Sequence, residues 1–398
     1  MSNLCRSCES VNLKKILDLG KMPSVGGFLD SKNMFKNDYV YDLNIFSCVD
    51  CGLVQIIDGI DPDTLFKNYS FSSSTVGPLI DHFKEYAAWL NQKLKPKNIF
   101  EFGCNDGVLL DHLKNFDIEN YGIDISENIT ELARSRGHKV FTGYFDENFA
   151  AEFVEKNGLV DVVTGSNAFA HNKNPETILN ASNIILNENG KLVLEVMYAG
   201  DLLEKFQWDT LYHEHLTFYS LSTLEILLKR FGFIIFDAYQ LPMHGGSLRI
   251  VASKNNKFDK TDGYKKIQTR EKLLKLNDFQ TWNDFGNHVI RKIDIVKKTL
   301  SLLSSKYSIA AYGAAGKAAM WFNAANMDYL KYVVDSSPLR AGKYMPGTHN
   351  PIVFPEYFKD NPVDFVFISA WNYAEVISEK EDWFKGTWMV PLPNLIFF

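Results

Sequence analysis

Residues 100–107 read Phe-Glu-Phe-Gly-Cys-Asn-Asp-Gly, and a hydrophobic run ends there at two glycines before an amphipathic pattern begins. Residues 98–102 suit a buried strand, and residues 107–113 have the i, i+3, i+4 spacing of a helix. A strand, a tight turn and a helix N-terminus gather free backbone N–H groups at the carboxyl end of a parallel sheet, where open α/β folds bind ligands. This stretch predicts a ligand loop, and the alternative is a plain strand-turn-helix with packing glycines.

The ligand expected at this loop has no pyrophosphate. Gly103 and Gly107 form Gly-x-x-x-Gly, which differs from the Gly-x-Gly-x-x-Gly fingerprint of dinucleotide sites. Glu101 would repel a phosphate but could face a cationic amino group. Asp124 closes the next predicted strand, where a carboxylate can accept hydrogen bonds from both ribose hydroxyls. The two carboxylates, with Asn105 in the loop, predict an S-adenosylmethionine (SAM) site and outweigh the packing alternative.

Composition bounds the class of protein. A length of 398 residues predicts two or three domains. Hydrophobic residues make up 46% and charged residues 23%, which is typical of a soluble globular protein. The formal charge of -6 gives no reason to expect nucleic acid. No window approaches the roughly 18 uncharged apolar residues of a membrane span, and residues 1–10 lack an apolar signal core, so we expect a cytoplasmic protein without a membrane partner.

Two Cys-x2-Cys pairs near the N-terminus predict a metal site. Cys5 and Cys8 form the first pair, and Cys48 and Cys51 form the second after 39 intervening residues. Each pair can place two thiolates at one tetrahedral centre, and four cysteines leave no open position for water. We therefore predict a structural zinc site in an N-terminal domain. Four unrelated buried cysteines are the weaker alternative.

From residue 97 the chain alternates strands and amphipathic segments. Five strands are predicted at 98–102, 120–124, 139–142, 161–165 and 191–196. Two further strands, at 233–239 and 247–253, are joined by only seven residues, so they must be antiparallel. This order predicts an α/β protein with a doubly wound parallel sheet that ends in a reversed hairpin, as in class I methyltransferases.

Two other segments frame this sheet. Residues 61–77 either fold over the ligand or form a solvated, turn-rich loop, and the sequence slightly favours the loop. Residues 254–306 read as a helical connector to a second α/β unit, whose glycine-rich loop at 309–317 could hold a phosphate on its N–H groups. Lys317 and Arg340 would suit a diphosphate, although solvated surface charges are an equal alternative. The predicted domains are 1–75, 76–255 and 256–398.

Residues 211–219 read Leu-Tyr-His-Glu-His-Leu-Thr-Phe-Tyr and follow the fifth strand of the predicted sheet. A histidine can remove a proton, a carboxylate can orient it, and a tyrosine O–H can support an oxyanion. This set predicts enolisation of a carbonyl compound. A metal site or a structural histidine pair are the alternatives. If the segment is extended, His213 and His215 lie on one side, so the pattern does not separate them.

The order of these motifs resembles the three-domain sugar C-methyltransferases, relatives of the TDP-4-keto-6-deoxyhexose C-3-methyltransferases. The resemblance rests on the two zinc knuckles and on residues 101–107, 212–215, 243–249 and 369–373. It implies a zinc-binding domain, a class I SAM-dependent methyltransferase domain and a C-terminal Rossmann-like α/β domain. The implied activity is C-methylation of a nucleotide-diphospho-ketosugar through an enolate. An O- or N-methyltransferase of another metabolite, and a non-catalytic zinc-ordered sugar-nucleotide binding protein, are the alternatives.

The resemblance also implies roles for particular residues. It identifies His215 as the base. The other predicted catalytic residues are Tyr212, Glu214 and, from the segment before the SAM loop, Tyr69. Asn167 joins the predicted SAM contacts. The predicted substrate contacts are His171, His244, Arg249, Lys317 and Arg340.

Overall fold

The computed structural model describes residues 4–57, 59–67, 72–75, 77–255 and 257–398. The strands are β1 (Leu13–Pro23), β2 (Val40–Cys48), β3 (Val54–Ile56), β4 (Asn98–Phe102), β5 (Glu119–Asp124), β6 (Val140–Thr142), β7 (Val160–Ser166), β8 (Leu186–Met197), β9 (Thr217–Phe218), β10 (Ile234–Leu241), β11 (Ser247–Ser253), β12 (Ile309–Tyr312), β13 (Val333–Val334), β14 (Ile352–Val353), β15 (Phe365–Ile368), β16 (Thr387–Val390) and β17 (Ile396–Phe397). The helices are α1 (Pro62–Phe66), α2 (Gly77–Lys93), α3 (Val108–Leu113), α4 (Glu127–Ser135), α5 (Glu147–Asn157), α6 (Pro175–Ile185), α7 (Ala199–Glu204), α8 (Leu221–Arg230), α9 (Asp262–Leu274), α10 (Phe279–Ser304), α11 (Gly316–Ala324), α12 (Pro355–Asp360) and α13 (Ala374–Lys380).

The N-terminal sheet has four strands in the order β1-β2-β3-β9, each antiparallel to its neighbours. Its last strand comes from the middle of the chain, because Phe218 pairs with Val54 and Thr217 pairs with Gln55. This pairing ties the residues directly after His215 to the N-terminal sheet.

The central sheet has seven strands in the order β10-β11-β8-β7-β4-β5-β6. Strands β8, β7, β4, β5 and β6 are parallel, and β11 runs antiparallel to both β8 and β10. Neighbouring residues of β4 enter different cores: Ile99 belongs to one hydrophobic cluster and Phe100 to another. This is the burial on both faces that a doubly wound sheet requires. The predicted sheet with its reversed hairpin is confirmed.

The C-terminal sheet has six strands in the order β14-β13-β12-β15-β16-β17, parallel except for β17. Helix α11 begins at Gly316, directly after the loop that follows β12. The predicted Rossmann-like α/β unit is therefore present.

Helix α10 connects the sheets and packs against the N-terminal one. Its buried side includes Trp282, Phe285 and Val289. Gly286 lies so close to β1 that a Cβ atom there would be 1.9 Å from the carbonyl oxygen of Ile16. Only glycine permits this approach, which holds the N-terminal sheet against the second half of the chain. In the described part of the chain, no helix is both long and apolar enough to cross a membrane.

Candidate active site

The loop after β4 is built by glycines in the left-handed region and fixed by a carboxylate. Gly103 has a φ of 62°, and a Cβ atom there would be 2.3 Å from the Cβ of Ala168, so no larger residue fits. The Asp124 carboxylate at the end of β5 accepts hydrogen bonds from the backbone N–H groups of Asn105 and Ser126, both at 3.0 Å. The structure therefore brings Asp124 beside the loop, as the SAM prediction requires.

Glu101 on β4 is a buried carboxyl group with a raised pKa. Its side chain is 2% exposed, and Oε2 has no hydrogen-bond partner among the described residues. Burial, with the charges of Asp124 and Glu195 adding to it, raises the pKa of Glu101 well above its usual range. Asn167 after β7 also has a buried Oδ1 that is unpaired within the described ranges. Both atoms are hydrogen-bond acceptors, and the N–H groups of an ammonium could donate to them. The residues therefore fit the amino-acid end of SAM.

Residues 72–75 lie across this loop. Ser73 donates its backbone N–H to Oδ1 of Asn105 at 2.9 Å, and the hydroxyls of Ser72 and Ser74 donate to Oδ2 of Asp106. The slight preference for a solvated loop was therefore wrong for this part of the segment. These serines contact the polar side chains of the loop, an arrangement that composition alone does not reveal. Tyr69 lies outside the described residues.

His215 has one ring nitrogen committed to the backbone. Its Nδ1 lies 2.8 Å from the carbonyl oxygen of Thr210. A carbonyl can only accept, so Nδ1 carries the proton and Nε2 of the neutral ring has the lone pair. Burial, followed by the nearby His171, lowers the pKa of His215 well below its usual value. The ring is therefore neutral at neutral pH and can accept a proton at Nε2.

His213 has a different environment. Its Nε2 lies 3.3 Å from the carbonyl oxygen of Asp42 on β2, and its ring centroid is 5.8 Å from that of Tyr41. The segment is a turn, since His215 donates its N–H to the carbonyl of Tyr212 at 2.9 Å. The premise of an extended segment was therefore wrong. His213 contacts the N-terminal sheet, whereas the His215 ring lies 4.1 Å from Tyr212 and 5.1 Å from His171.

Three parts of the chain meet at this turn. A Cβ atom on Gly26, from the N-terminal unit, would be 3.5 Å from Oε1 of Glu214. A Cβ atom on Gly316, at the start of α11, would be 3.5 Å from the Tyr212 ring. Burial raises the pKa of Glu214 to about 7. The carboxyl can therefore hold a proton near neutral pH.

A polar network beside α2 was not found from the sequence. Glu195 on β8 lies 2.8 Å from Nε2 of His82 and accepts from Ser166 at 2.9 Å and from Nε of Arg249 at 2.7 Å. Burial would raise the pKa of Glu195, but the hydrogen bond with His82 and the charge of Arg249 lower it to about 2. A glutamate inside the hydrophobic run of residues 192–196 is the signal that could have revealed the pairing, because a buried charge needs a partner.

Two predicted substrate contacts adjoin this network. The guanidinium of Arg249 lies over the ring of Tyr86 at 4.0 Å and is committed to Glu195, so it is not free for a ligand. His244 adopts a left-handed backbone with φ 54°. Its ring is accessible, but surrounding protein lowers its pKa to about 4.

The C-terminal unit contributes a half-buried cation. Lys317 Nζ lies 4.3 Å from the centre of the Trp371 ring, and burial lowers its pKa while Asp209 opposes that effect. The Asp209 carboxylate accepts hydrogen bonds from the indole N–H groups of Trp371 and Trp321, at 2.8 and 3.2 Å. Lys317 is therefore not a fully solvated surface charge, and its role as a substrate contact stays a prediction. Arg340 differs, because it is partly exposed and lies 3.1 Å from a carboxylate oxygen of Asp335.

The four N-terminal cysteines come together. Their sulfur atoms all lie within 4.8 Å of one another, with Cys5 and Cys51 at 3.5 Å and Cys8 and Cys48 at 3.6 Å. Tetrahedral Zn–S bonds of about 2.3 Å place thiolates about 3.8 Å apart, so these residues fit zinc with a closed coordination shell.

The doubly wound sheet, its reversed hairpin and the acidic loop define a class I SAM-dependent methyltransferase. Three families match the chain: "Putative zinc binding domain" over residues 5–66, "Methyltransferase domain" over 78–236 and "C-methyltransferase C-terminal domain" over 242–393. The chain therefore carries a zinc-binding domain, a methyltransferase domain and a C-methyltransferase C-terminal domain in that order, and it is a SAM-dependent methyltransferase with SAM and zinc as its cofactors. The methyltransferase and zinc predictions are confirmed, and the non-catalytic alternative is not supported.

The chain is similar to one named relative along nearly its whole length and, more distantly, to several solved structures. C-methyltransferase NovU of Streptomyces niveus is 25% identical over 400 residues, which cover 98% of this chain and 95% of that protein. Among solved structures, SAM-bound magnesium protoporphyrin IX methyltransferase of Synechocystis PCC 6803 is 15% identical, covering 44% of this chain and 79% of its own, with a TM-score of 0.34. Protein PH0226 of Pyrococcus horikoshii OT3 is 14% identical, covering 49% and 97%, with a TM-score of 0.37.

Proposed function

We propose that this enzyme transfers a methyl group from SAM to a carbon of a nucleotide-diphospho-ketosugar, with His215 as the base. The observation that carries the proposal is the geometry of His215. Its Nδ1–H is held by the Thr210 carbonyl, so the lone pair of Nε2 is the free basic position. Burial keeps the ring neutral, as a general base must be before it accepts a proton.

In this mechanism, Nε2 of His215 takes the proton on the carbon next to the keto group, and the electrons of that C–H bond form the enolate. The phenol of Tyr212, whose ring lies 4.1 Å from that of His215, would donate a hydrogen bond to the enolate oxygen. When bound, SAM supplies the methyl group to the enolate carbon, and its sulfur keeps the electron pair of the broken S–C bond. Glu101, Asn105, Asp124 and Asn167 hold the methyl donor.

The charge at the C-terminal side of the turn supports an anionic substrate. Lys317 is half-buried and has no ion pair within 4 Å among the described side chains, although Asp209 stabilises its charge at longer range. A diphosphate would supply the missing counter-charge. His171 and His244 would then lie next to the sugar. Arg249 would act indirectly, through its ion pair with Glu195. Arg340 would act from the carboxyl end of the C-terminal sheet, where it pairs with Asp335. Tyr69 stays a predicted catalytic residue.

The proposal extends to organisation and setting. We propose units at residues 1–75, 76–255 and 256–398, in a cytoplasmic enzyme of deoxysugar biosynthesis with no nucleic-acid or membrane partner. The three successive sheets support these limits, except that β9 is supplied to the first sheet by the second unit. The C-terminal unit is the part proposed to hold the nucleotide.

The test begins with labelled SAM and a panel of nucleotide-diphospho-ketosugars, followed by identification of the labelled product. We expect a new C–CH3 bond next to the keto carbon, and solvent deuterium at that carbon when SAM is omitted. A methylated hydroxyl or amine without deuterium exchange would instead indicate an O- or N-methyltransferase.

The base is tested separately in single-turnover reactions. His215→Ala should lower the rate by about a hundred- to ten-thousand-fold while SAM affinity is kept, because a general base acts on the barrier. His213→Ala is the matched control, since its ring contacts the N-terminal sheet. A His215→Ala enzyme with the wild-type rate would refute the mechanism.

A further inference from the structure

We propose that Arg6, inside the first zinc knuckle, is a positioning residue that sets the placement of His171 relative to His215. The inference rests on the proposed function, in which His215 is the base and His171 borders the substrate. It assigns to the N-terminal unit a direct part in the geometry of the reaction, beyond folding around zinc.

The Arg6 side chain leaves the knuckle and reaches three backbone carbonyls. Its NH1 donates to Ile56 at 2.6 Å and to Leu216 at 3.4 Å, and its Nε donates to Lys173 at 3.1 Å. Leu216 directly follows His215, and Lys173 is two residues beyond His171. One guanidinium therefore joins the two histidine segments to strand β3.

The same segments are linked to each other next to this guanidinium. Leu216 donates its N–H to the carbonyl of Ala170 at 3.0 Å, and Ile56 donates its N–H to the carbonyl of Leu216 at 2.9 Å. Arg6 completes this set of bonds, because it shares the Leu216 carbonyl with Ile56. The backbone N–H of Arg6 also donates to Oε1 of Gln55 at 3.1 Å, which fixes the start of the side chain.

The three contacts of Arg6 require a planar group with several N–H donors in fixed directions. Arginine presents five N–H groups in fixed directions, so one side chain can serve carbonyls from three segments. A lysine ammonium is a single point on a flexible stem and cannot reach all three. Arg6→Lys should therefore keep the charge but release part of the clamp.

Arg230 provides a matched control. Its NH1 donates to the carbonyl of Ser7 at 2.7 Å, and its NH2 forms an ion pair with Glu9. It therefore fastens the same knuckle to helix α8 without contacting the segments of His171 or His215. Loss of general knuckle stability should affect Arg6→Lys and Arg230→Lys alike, whereas loss of histidine placement should affect only the first.

The experiment compares both lysine variants with the wild-type full chain. We expect each variant to keep zinc and SAM affinity. In Arg6→Lys, the side-chain ¹H–¹⁵N resonances of His171 and His215 should shift and their titration should change. The kcat for methyl transfer should fall by up to about a hundredfold with little change in the KM for SAM, since displacements near 1 Å can have that effect. Arg230→Lys should match the wild type.

Two results would overturn the proposal. One is unchanged histidine resonances and kcat in Arg6→Lys; the other is equal changes in both lysine variants, which would indicate a structural role only. If Arg6→Lys loses zinc, Arg6→Gln, which keeps one donor group, replaces it, and loss of zinc there as well also counts against positioning. The histidine spectra need no sugar substrate, so they decide this inference even if the wild type methylates no ketosugar.

Discussion

Glu214→Gln should stabilise the ligand-free protein in alkaline solution and have little effect in acid. The folded protein raises the pKa of Glu214 to about 7 from an ordinary value of 4.5, with burial as the cause. Between these values the folded state holds a proton that the unfolded chain has released. The stability of the wild type therefore falls as pH rises from about 4.5 through 7. Glutamine has no charge to bury and avoids this loss.

The size of the effect follows from the pKa difference. Each tenfold change in proton affinity is worth about 1.4 kcal/mol, so the difference between 4.5 and 7 corresponds to at most about 3.5 kcal/mol at pH 8. Glu214 is only half-buried, and local rearrangement reduces the cost, so we expect a gain of about 1–3 kcal/mol for Glu214→Gln at pH 8.

Urea unfolding at pH 8 and at pH 4.5 measures this gain. The difference in unfolding free energy between variant and wild type should be large at pH 8 and near zero at pH 4.5. Other titrating groups are present in both proteins and cancel to first order. The exposed Glu155 supplies the control, since Glu155→Gln removes a carboxylate that lies at the surface and is not buried by folding. A Glu214→Gln gain that is the same at both pH values would show that burial of the charge is not its cause.

Three further outcomes are expected. Cys51→Ser should release zinc and lower the melting temperature, because a ligand is lost from a closed shell, whereas Cys104→Ser should keep the metal; metal analysis and calorimetry compare them. Asp124→Ala should weaken SAM binding by about 1.5–3 kcal/mol for each charge-assisted bond lost, and an unchanged Kd in calorimetry would contradict the ribose assignment. The acidic limb of the kcat/KM profile should lie below pH 6.5, because burial lowers the pKa of His215; a limb above pH 6.5 would exclude this base.

The sheet and the zinc site were predictable because their signals are local. Strand β4 spans the residues that its apolar pattern indicated, and the short connection between β10 and β11 left only an antiparallel pairing. The four cysteines likewise met because two Cys-x2-Cys pairs each preorganise half of a tetrahedral centre. In each case a few neighbouring residues determine the local structure, so contacts with distant parts of the chain did not change the predicted outcome.

The orientation of the two histidines was not predictable, because it depends on distant backbone. His213 contacts the carbonyl oxygen of Asp42. Strand β9 is only two residues long, yet it pairs with β3, which lies more than a hundred and fifty residues earlier in the sequence. Glu195 meets its partners His82 and Arg249 only because β8, α2 and β11 pack together. No periodicity in the sequence carries such long-range information.

The neutrality of His215 depends on more than one unit of the chain, and this constrains how the enzyme can be divided. Burial is the main cause of its lowered pKa, and the charge of Lys317 in the C-terminal unit adds to it. Asp209 accepts bonds from two tryptophan indoles of that unit, directly before Thr210, whose carbonyl holds the His215 ring. A protein lacking the C-terminal unit would lose both indole donors to Asp209 and the charge of Lys317. Its His215 should therefore titrate nearer the ordinary value of 6.5, even where the central sheet and SAM loop are intact.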